Sequence, residues 1–261
     1  MSGAALRLRG WLGPLGRYRP GLFRKDMAEG FSNCDARATP GWARRLGWSS
    51  PEERLLENLE LDGKMVYDIG AHAGAYSLFF SRRVGRNGRV IAFEPQAASF
   101  AKLARNLQDN RIGNVMPLRL ALGDEAGTRP IYMLPGMSTT ASLAAEARTP
   151  LRRAAGETRI ERLDDLIAEL ALPPPEFVKI DVEGMELEVL QGAHATLARH
   201  RPALLIEAHG ASRRHKAERV RAIAALLLPL GYDLIHAESG QRIGGEDDGV
   251  AAGHIFAEAA G

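Results

Sequence analysis

Two glycines and an acid follow a short apolar segment of this chain, in a spacing that suits a bound ligand. Asp68 precedes Gly70 and Gly74, and Ala71 and His72 lie between the glycines. Glycine permits a tight turn and a close approach of backbone to ligand, but the spacing lacks the G-x-G-x-x-G pattern of dinucleotide sites. Asp68 would also repel a pyrophosphate, whereas it would attract a ligand that carries an ammonium group. A packed strand-to-helix turn is the structural alternative.

A second acid stands where a nucleoside would need hydrogen-bond acceptors. Glu94 follows the next apolar segment, lies twenty residues beyond Gly74 and precedes Pro95. An acid at this distance can accept hydrogen bonds from both ribose hydroxyls of a nucleotide-like ligand, and the spacing favours this role over that of an ordinary surface carboxylate. After the third apolar segment, the backbone at Leu122 and the side chain of Asp124 could meet an adenine edge. A simple turn explains those two residues equally well.

The most specific segment carries two acids directly after an apolar run. Asp181 and Glu183 follow Phe177–Ile180 and precede Gly184. A buried strand has no need to end in two carboxylates, so this pair indicates chemistry beyond the strand end. For Glu183 alone, a favourable interaction with a helix N-terminus is the structural alternative.

Alternating strands and helices are needed to position these acids. Between the short apolar runs, apolar residues at helical spacing predict helices, as Phe100, Leu103 and Leu107 do. This order is typical of a parallel sheet with helices on both faces, and ligands of such sheets bind beyond the carboxyl ends of the strands. The predicted strands cover residues 65–69, 89–93, 115–122, 131–134, 177–180, 203–206, 232–235 and 254–256.

The charge distribution divides the 261-residue chain into a basic arm and a mildly acidic body. Residues 1–50 hold nine Lys/Arg and three Asp/Glu, although the whole chain carries a net charge of only +2. We assign residues 1–49 to a Gly/Pro/Arg-rich arm and residues 50–261 to one α/β domain, whose first helix is signalled by Ser50, Pro51 and Glu53. The arm could contact an acidic partner, lipid headgroups or nucleic acid, but a solvated leader is favoured.

Composition also limits the compartment. No run approaches the ~20 apolar residues that span a bilayer, and arginines interrupt every apolar stretch near the N-terminus, so no signal-peptide core is found. The single cysteine, Cys34, excludes an internal disulfide and a cysteine-rich metal cluster. The sequence therefore predicts a cytoplasmic protein without a membrane span.

Taken together, these segments resemble the FkbM family of methyltransferases. The matching segments occur in the order expected of that family, cover roughly residues 53–209 and are jointly far more specific than one glycine loop. They are VYDIGA (66–71), AFEP (92–95), LDDL (163–166), FVKIDVEG (177–184), VLQGA (189–193) and RPALLIE (201–207).

The resemblance implies a Rossmann-like class I methyltransferase fold, with a seven-stranded, mostly parallel sheet whose last strand is antiparallel. It implies S-adenosylmethionine as cofactor and O-methylation of a hydroxyl on a sugar, glycan or natural product. Members commonly carry Asn where this chain has His72, but imidazole can still donate or accept one hydrogen bond. The residues assigned to cofactor binding are Asp68, Gly70, Ala71, His72, Gly74, Glu94, Pro95, Leu122, Asp124 and Asp181.

Methyl transfer to a hydroxyl also needs a base that accepts the proton. Asp181 and Glu183 are the first candidates, and Glu207 and His209, after the next apolar run, are the second; Asp181 could instead orient cofactor or substrate. A divalent metal could polarise the acceptor, as in catechol-type methyltransferases, with Asp181 and Glu207 as oxygen ligands. Because the sequence defines no ligand set, metal dependence is not favoured and no metal ligand is assigned.

Three other functions compete with this interpretation. A nicotinamide-dependent oxidoreductase would also use Glu94 on a ribose, but the G-x-G-x-x-G pattern is missing. A non-catalytic nucleotide-ligand binding protein of the same fold could keep the same residues. A nucleic-acid methyltransferase could use the basic arm, but the sequence has no aromatic-rich motif for a flipped base. We expect a small-molecule or glycan acceptor between the loops at 135–160 and 238–252; neither its identity nor the oligomeric state follows from the sequence.

Overall fold

The computed structural model describes residues 51–133, 142–143, 153–210, 212–244 and 253–260, and the structural statements below concern these residues. The basic arm assigned to residues 1–49, with Cys34, lies outside them. The described residues form ten strands. In chain order these are β1 (Met65–Ile69), β2 (Arg89–Phe93), β3 (Val115–Leu118), β4 (Ala121–Leu122), β5 (Gly127–Met133), β6 (Arg153–Glu161), β7 (Phe177–Ile180), β8 (Ala203–Glu207), β9 (Tyr232–His236) and β10 (His254–Ala259).

Seven of these strands form one sheet, in the order β3-β2-β1-β7-β8-β10-β9. The neighbours from β3 to β8 pair in parallel, whereas β10 runs antiparallel to both β8 and β9. The predicted seven-stranded, mostly parallel sheet with an antiparallel last strand is therefore confirmed. The strand order reverses at β1, between β2 and β7, and ligands of such sheets bind beyond the strand ends at this point.

Helices cover both faces of the sheet, as predicted. Because successive side chains of a strand point to opposite faces, Val66 packs in one buried cluster with Phe79 and Phe80, whereas Tyr67 belongs to another with Leu190. None of the helices in the described ranges is long and apolar enough to cross a membrane. In chain order they are α1 (Pro51–Asn58), α2 (Ala75–Val84), α3 (Ala97–Asp109), α4 (Leu163–Glu169), α5 (Glu186–Gly192), α6 (His194–His200) and α7 (Arg213–Leu227).

The third predicted strand is wrong as a single element. Residues 115–122 form two strands in different sheets: β3 pairs with β2, whereas β4 pairs with β6 in a separate three-stranded sheet of order β4-β6-β5. Leu120, Ala121 and Leu122 are buried after the chain has left the main sheet. Apolar residues therefore stand on both sides of the break, and Arg119 is the one charged residue that marks it.

The β5/β6 hairpin corrects a second prediction. The strand predicted at 131–134 is the end of the longer β5, which pairs antiparallel with β6; residue 134 lies outside the described residues. Strand β6 was not predicted, because its side chains are mostly exposed and only Thr158 and Ile160 are buried. Of the two expected acceptor loops, the structure describes residues 142–143 and 153–160 of the first and 238–244 of the second.

The helical segment after β7 is also divided. The apolar residues from Leu187 to Leu197 lie on two helices, because α5 ends at Gly192 and α6 begins at His194. A Cβ on Gly192 would lie 1.9 Å from the carbonyl oxygen of Gly123. The end of α5 therefore contacts the loop that follows β4, and this contact joins the second sheet to the helical layer.

Candidate active site

A cavity of about 410 Å³ opens at the carboxyl ends of β1, β2, β7 and β8. Its volume lies in the range of small-molecule sites. Residues from distant parts of the chain line it together, as the parallel sheet predicts. The predicted site residues in its lining are Gly70, Ala71, His72, Glu94, Pro95, Leu122, Asp181, Glu183, Glu207 and His209.

The loop after β1 passes very close to the end of β7. Gly70 has φ +85°, and a Cβ built on it would lie 1.8 Å from the carbonyl oxygen of Asp181. The backbone N–H groups of Gly70 and Ala71 both donate to the carbonyl of Phe93, at 3.0 and 2.9 Å. Only glycine fits this position, and the contact brings the ends of β1, β2 and β7 together.

Asp68 lies beneath this loop, fully buried and outside the cavity lining. The Ser77 hydroxyl donates to its Oδ2 at 2.5 Å, while its Oδ1 has no hydrogen-bond partner among the described residues. Burial raises the pKa of this carboxyl, and the nearby Lys179 ammonium and the Ser77 hydrogen bond partly offset that rise. Asp68 therefore keeps one oxygen free for a further donor.

Glu94 is held by the backbone on both sides. Its Oε2 accepts from the His72 N–H and its Oε1 from the Gln96 N–H, each at 2.8 Å. Burial raises the pKa of Glu94 to about 7, against the lowering effect of these two hydrogen bonds. Burial likewise lowers the pKa of His72, so a neutral imidazole faces the cavity.

Four side chains that follow β7 and β8 form what we call the acidic rim: Asp181, Glu183, Glu207 and His209. The Nε2 atom of His209 lies 3.8 Å from Asp181 Oδ1, 4.0 Å from Glu183 Oε1 and 3.6 Å from Glu207 Oε1. All four residues line the cavity. The structure therefore brings together the four residues that the sequence proposed as bases.

A buried carboxylate that the sequence analysis missed supports the rim from behind. Glu186 is fully buried, and its Oε1 accepts from the Gly184 N–H and lies 2.9 Å from His209 Nδ1. Burial lowers the pKa of His209, but the bond to Glu186 and the charges of Glu186, Asp181 and Glu183 outweigh it and raise that pKa to about 9. The rim therefore holds an imidazolium at neutral pH.

Lys179 is a second missed residue. It is almost fully buried within β7 and places its Nζ atom 3.0 Å from Asp181 Oδ2 and 4.3 Å from the centre of the Tyr76 ring. A lysine inside an otherwise apolar buried strand is the signal that could have identified it, because a buried ammonium needs a partner. Its contact fixes Oδ2 of Asp181 and leaves Oδ1 facing His209.

A histidine of β10 holds the other end of the rim. His254 Nε2 lies 3.5 Å from Glu207 Oε2, and its Nδ1 lies 2.7 Å from Glu238 Oε1. The adjacent His254 side chain lowers the pKa of Glu207 to about 2. His236 lies 2.9 Å from Glu238 Oε2 and is not in the cavity lining.

Besides Asp68, two other predicted cofactor residues lie outside the cavity lining. Asp124 is near Arg129, with Oδ1 3.6 Å from the guanidinium, an arrangement that favours the turn alternative. Gly74 has φ +91° at the start of α2, where a Cβ would lie 2.5 Å from Leu103 Cδ1. Its contribution is to helix packing against α3.

The second sheet closes the cavity near Glu183. The Ser142 hydroxyl donates to the Glu183 carbonyl at 2.7 Å, and Leu143 and Ile131 line the cavity beside them. Glu183 has φ +52°, a conformation that non-glycine residues adopt rarely and often at functional sites. The backbone turn at Glu183 is thus held by a contact from outside the main sheet.

Several known proteins with similar sequences are named as methyltransferases. The family description "Methyltransferase FkbM domain" matches residues 68–234. Hexuronic acid methyltransferase AglP of Haloferax volcanii is 30% identical over 195 residues, which cover 71% of this chain and 74% of AglP. The 31-O-demethyl-FK506 methyltransferase FkbM of Streptomyces tacrolimicus is 31% identical over 156 residues, 50% of this chain and 59% of that protein.

A solved structure shares the fold. Methyltransferase FkbM from Methylobacillus flagellatus KT matches with a TM-score of 0.50 and 19% identity, over 75% of this chain and 43% of that chain. At this identity the likeness concerns the fold alone. The family match, in contrast, begins at Asp68 and extends into β9, so it contains the Gly70 loop, Glu94 and the acidic rim. The chain therefore belongs to the FkbM family of methyltransferases.

Proposed function

We propose that this chain is an S-adenosylmethionine-dependent O-methyltransferase that acts on a hydroxyl of a sugar, glycan or natural product. The observation that carries the proposal is one cavity lined both by Glu94 with the Gly70 loop and by the acidic rim. The first group offers acceptors to a nucleoside, and the second offers groups that take up a proton. Transfer between two bound molecules needs both environments within one cavity.

The residues around the Gly70 loop fit this cofactor. Each carboxylate oxygen of Glu94 accepts one backbone N–H and keeps a lone pair for a ribose hydroxyl. Asp68 lies beneath the Gly70 loop, and its unpaired Oδ1 would accept a hydrogen bond from the ammonium of the methionine moiety. When bound, S-adenosylmethionine supplies a methyl group activated by a sulfonium sulfur.

Within the acidic rim, we assign the role of general base to Glu183. The acceptor oxygen forms a bond to the methyl carbon as the carbon–sulfur bond breaks, the thioether keeps that electron pair, and the hydroxyl proton needs a base. Asp181 is bound by Lys179, and Glu207 faces His254 and has a lowered pKa. His209, with its pKa raised to about 9, is already protonated at pH 7.

The relatives suggest the class of acceptor. AglP is named as a methyltransferase of hexuronic acid, and FkbM as one that acts on 31-O-demethyl-FK506. Both names fit a hydroxylated small molecule or glycan. We extend this class to the present chain and propose the cytoplasm as its compartment, because a single cysteine fits a reducing environment.

Calorimetry with S-adenosylmethionine tests the cofactor. We expect Glu94→Gln to weaken binding roughly 30-fold, because hydrogen bonds to a charged group contribute about 2 kcal/mol. The matched control is Glu176→Gln. Glu176 accepts hydrogen bonds from the Lys64 side chain and the Met65 N–H at the amino-terminal ends of β1 and β7, away from the cavity, so binding should not change. Binding of NAD instead of S-adenosylmethionine would support the oxidoreductase, and binding of neither would support a non-catalytic protein.

Turnover tests the role of Glu183. The purified protein is incubated with S-adenosylmethionine and a panel of hexuronic acids and hydroxylated macrolides, and S-adenosylhomocysteine is quantified. Because loss of a general base lowers rates by about 10² to 10⁴, Glu183→Gln should reduce kcat at least 100-fold without changing the Kd of the cofactor. An unchanged kcat would move the base to another residue of the rim, and Asp181→Asn would be measured next.

A further inference from the structure

Three side chains of the acidic rim direct one polar atom each toward a common point. The ligand-type atoms of Asp181, Glu207 and His209 all lie within 4.8 Å of one another. Two of these residues come from the loop and strand end at β8, and the third follows β7. Their convergence depends on the pairing of β7 with β8. The sequence suggested Asp181 and Glu207 as oxygen ligands, and the structure adds His209 to them.

The separations are too long for hydrogen bonds but suit the ligands of one ion. His209 Nε2 lies 3.8 Å from Asp181 Oδ1 and 3.6 Å from Glu207 Oε1, beyond the usual hydrogen-bond range. Two ligands at about 2.1–2.4 Å from one metal, at angles of about 90–110°, are separated by roughly 3.0–3.9 Å. The rim therefore has the spacing of a coordination site.

A buried carboxylate fixes the orientation of the histidine. Glu186 is fully buried, and its Oε1 lies 2.9 Å from His209 Nδ1, so Nδ1 carries the proton that points to Glu186. Nε2 is then the nitrogen directed toward Asp181 and Glu207, and a bound metal ion would displace the proton that Nε2 carries in the imidazolium. Histidine ligands of metals usually donate their other ring N–H to a carboxylate or carbonyl in this way.

The two carboxylates are oriented by the same principle. Lys179 holds Oδ2 of Asp181 at 3.0 Å, while Oδ1 faces His209. His254 lies 3.5 Å from Oε2 of Glu207, while Oε1 faces His209. Each of the three side chains is therefore held through one polar atom and presents the other to the shared point.

We propose that Asp181, Glu207 and His209 bind one divalent metal ion within the cavity. Imidazole suits Zn²⁺ and related ions, and carboxylates suit Mn²⁺ and Mg²⁺, so a mixed set of this kind selects a divalent ion that accepts both. The cavity leaves further coordination positions open. If the proposed O-methylation is correct, on which this step alone rests, the ion would hold the acceptor oxygen beside Glu183.

Metal binding is measured directly, without cofactor or acceptor. The full chain is dialysed against a chelator and titrated with Mn²⁺, followed by calorimetry and electron paramagnetic resonance, with Zn²⁺ as a competitor. We expect one Mn²⁺ per chain, and at least tenfold weaker binding in His209→Ala and in Asp181→Asn. Glu186→Gln, which alters a supporting contact but removes no ligand, should weaken binding by about 10- to 100-fold.

Glu176→Gln is the matched control, since Glu176 is a carboxylate at the amino-terminal ends of β1 and β7, away from the cavity, and it should bind Mn²⁺ as the unmodified chain does. Equal binding by His209→Ala, an equal loss in Glu176→Gln, or no binding by the unmodified chain would overturn the proposal. If His209→Ala fails to fold by circular dichroism, Glu207→Gln replaces it. The proposed function is judged separately, by binding of S-adenosylmethionine.

Discussion

The site depends on backbone conformation at one residue more than on any side chain. Gly70 has φ +85°, and its Cα lies so close to Asp181 that a Cβ would meet the Asp181 carbonyl oxygen at 1.8 Å. Gly63 has φ +73°, but a Cβ there would meet no atom within 4 Å. An alanine at Gly63 would therefore have only the cost of a left-handed conformation, whereas an alanine at Gly70 would also have the cost of a steric contact.

We expect Gly70→Ala to destabilise the protein by about 3 kcal/mol or more, and Gly63→Ala by only about 1 kcal/mol. A left-handed alanine costs roughly 1–2 kcal/mol, and only Gly70→Ala also requires the end of β7 to move. Urea unfolding of both variants measures the difference. Equal losses would mean that the contact between the Gly70 loop and Asp181 relaxes at little cost.

The sequence predicted the site residues whose type and place at a strand end indicate a role. It did not predict a residue whose role depends on a contact with a distant part of the chain. Gly70, Glu94 and Asp181 stand at strand ends, and the strand pattern alone places them together. Glu186 lies in a helix whose sequence shows no functional signal, and only its contact with His209, twenty-three residues away, gives it a role. Lys179 is different, because a lysine within an apolar run is visible in the sequence, although its contact with the Tyr76 ring is not.

Among the elements, one aspartate joins two helices. The side chain of Asp164, in the first turn of α4, accepts hydrogen bonds from the N–H groups of Ala195 and Thr196 and from the Thr196 hydroxyl, at 2.9, 2.8 and 2.6 Å. It therefore caps the N-terminus of α6 from outside that helix. The adjacent Asp165 is exposed and only approaches Arg162, at 3.7 Å.

Asp164→Ala should lower the free energy of unfolding by about 1–2 kcal/mol, the usual effect of removing a helix cap. Asp165→Ala should change it by less than about 0.5 kcal/mol, because exposed ion pairs contribute little. Thermal unfolding of the two neighbouring variants measures both values. A larger loss in Asp165→Ala would contradict the assignment of the cap.

Elements with a buried apolar face were predicted, and elements without one were not. Strands β1, β2, β7 and β8 are buried runs of five residues or fewer, which a sequence shows directly. Strand β6 is mostly exposed and is stabilised by its pairing with β5 and β4, so its sequence carries no periodic signal. The break before β4 was missed because Leu120, which follows the break, is apolar and buried like a residue of the strand.

For the whole molecule, three titrating groups predict the pH of greatest stability. Burial raises the pKa of Glu94 to about 7, so its contribution to the free energy of unfolding is greatest below pH 4.5 and is lost as the pH rises through 7. His209, with its pKa raised to about 9 by Glu186 and the rim against the effect of burial, stabilises below pH 6.5, an effect lost as pH rises through 9. Glu207, with its pKa lowered to about 2 by His254, stabilises above pH 4.5 and loses this effect as pH falls through 2.

The free energy of unfolding should therefore be greatest near pH 5 and fall toward pH 9. Denaturant unfolding at intervals from pH 3 to pH 9, in the presence of a chelator, measures the profile. Glu94→Gln should flatten it between pH 4.5 and 7, and His209→Gln between pH 6.5 and 9. Stability that rises from pH 5 to pH 9 would show that these carboxylate and imidazole contacts do not control the profile.

The position of β10 has a consequence for synthesis of the chain. Although β10 follows β9 in sequence, it lies between β8 and β9, so β9 has no partner in the sheet until β10 has left the ribosome. The same strand carries His254, which holds Glu207. A nascent chain that stops before β10 thus has an open edge at β8 and an incomplete rim, and it is a natural client for chaperones that bind exposed strands. Catalytic competence would therefore require β10, which follows the other described strands in the chain.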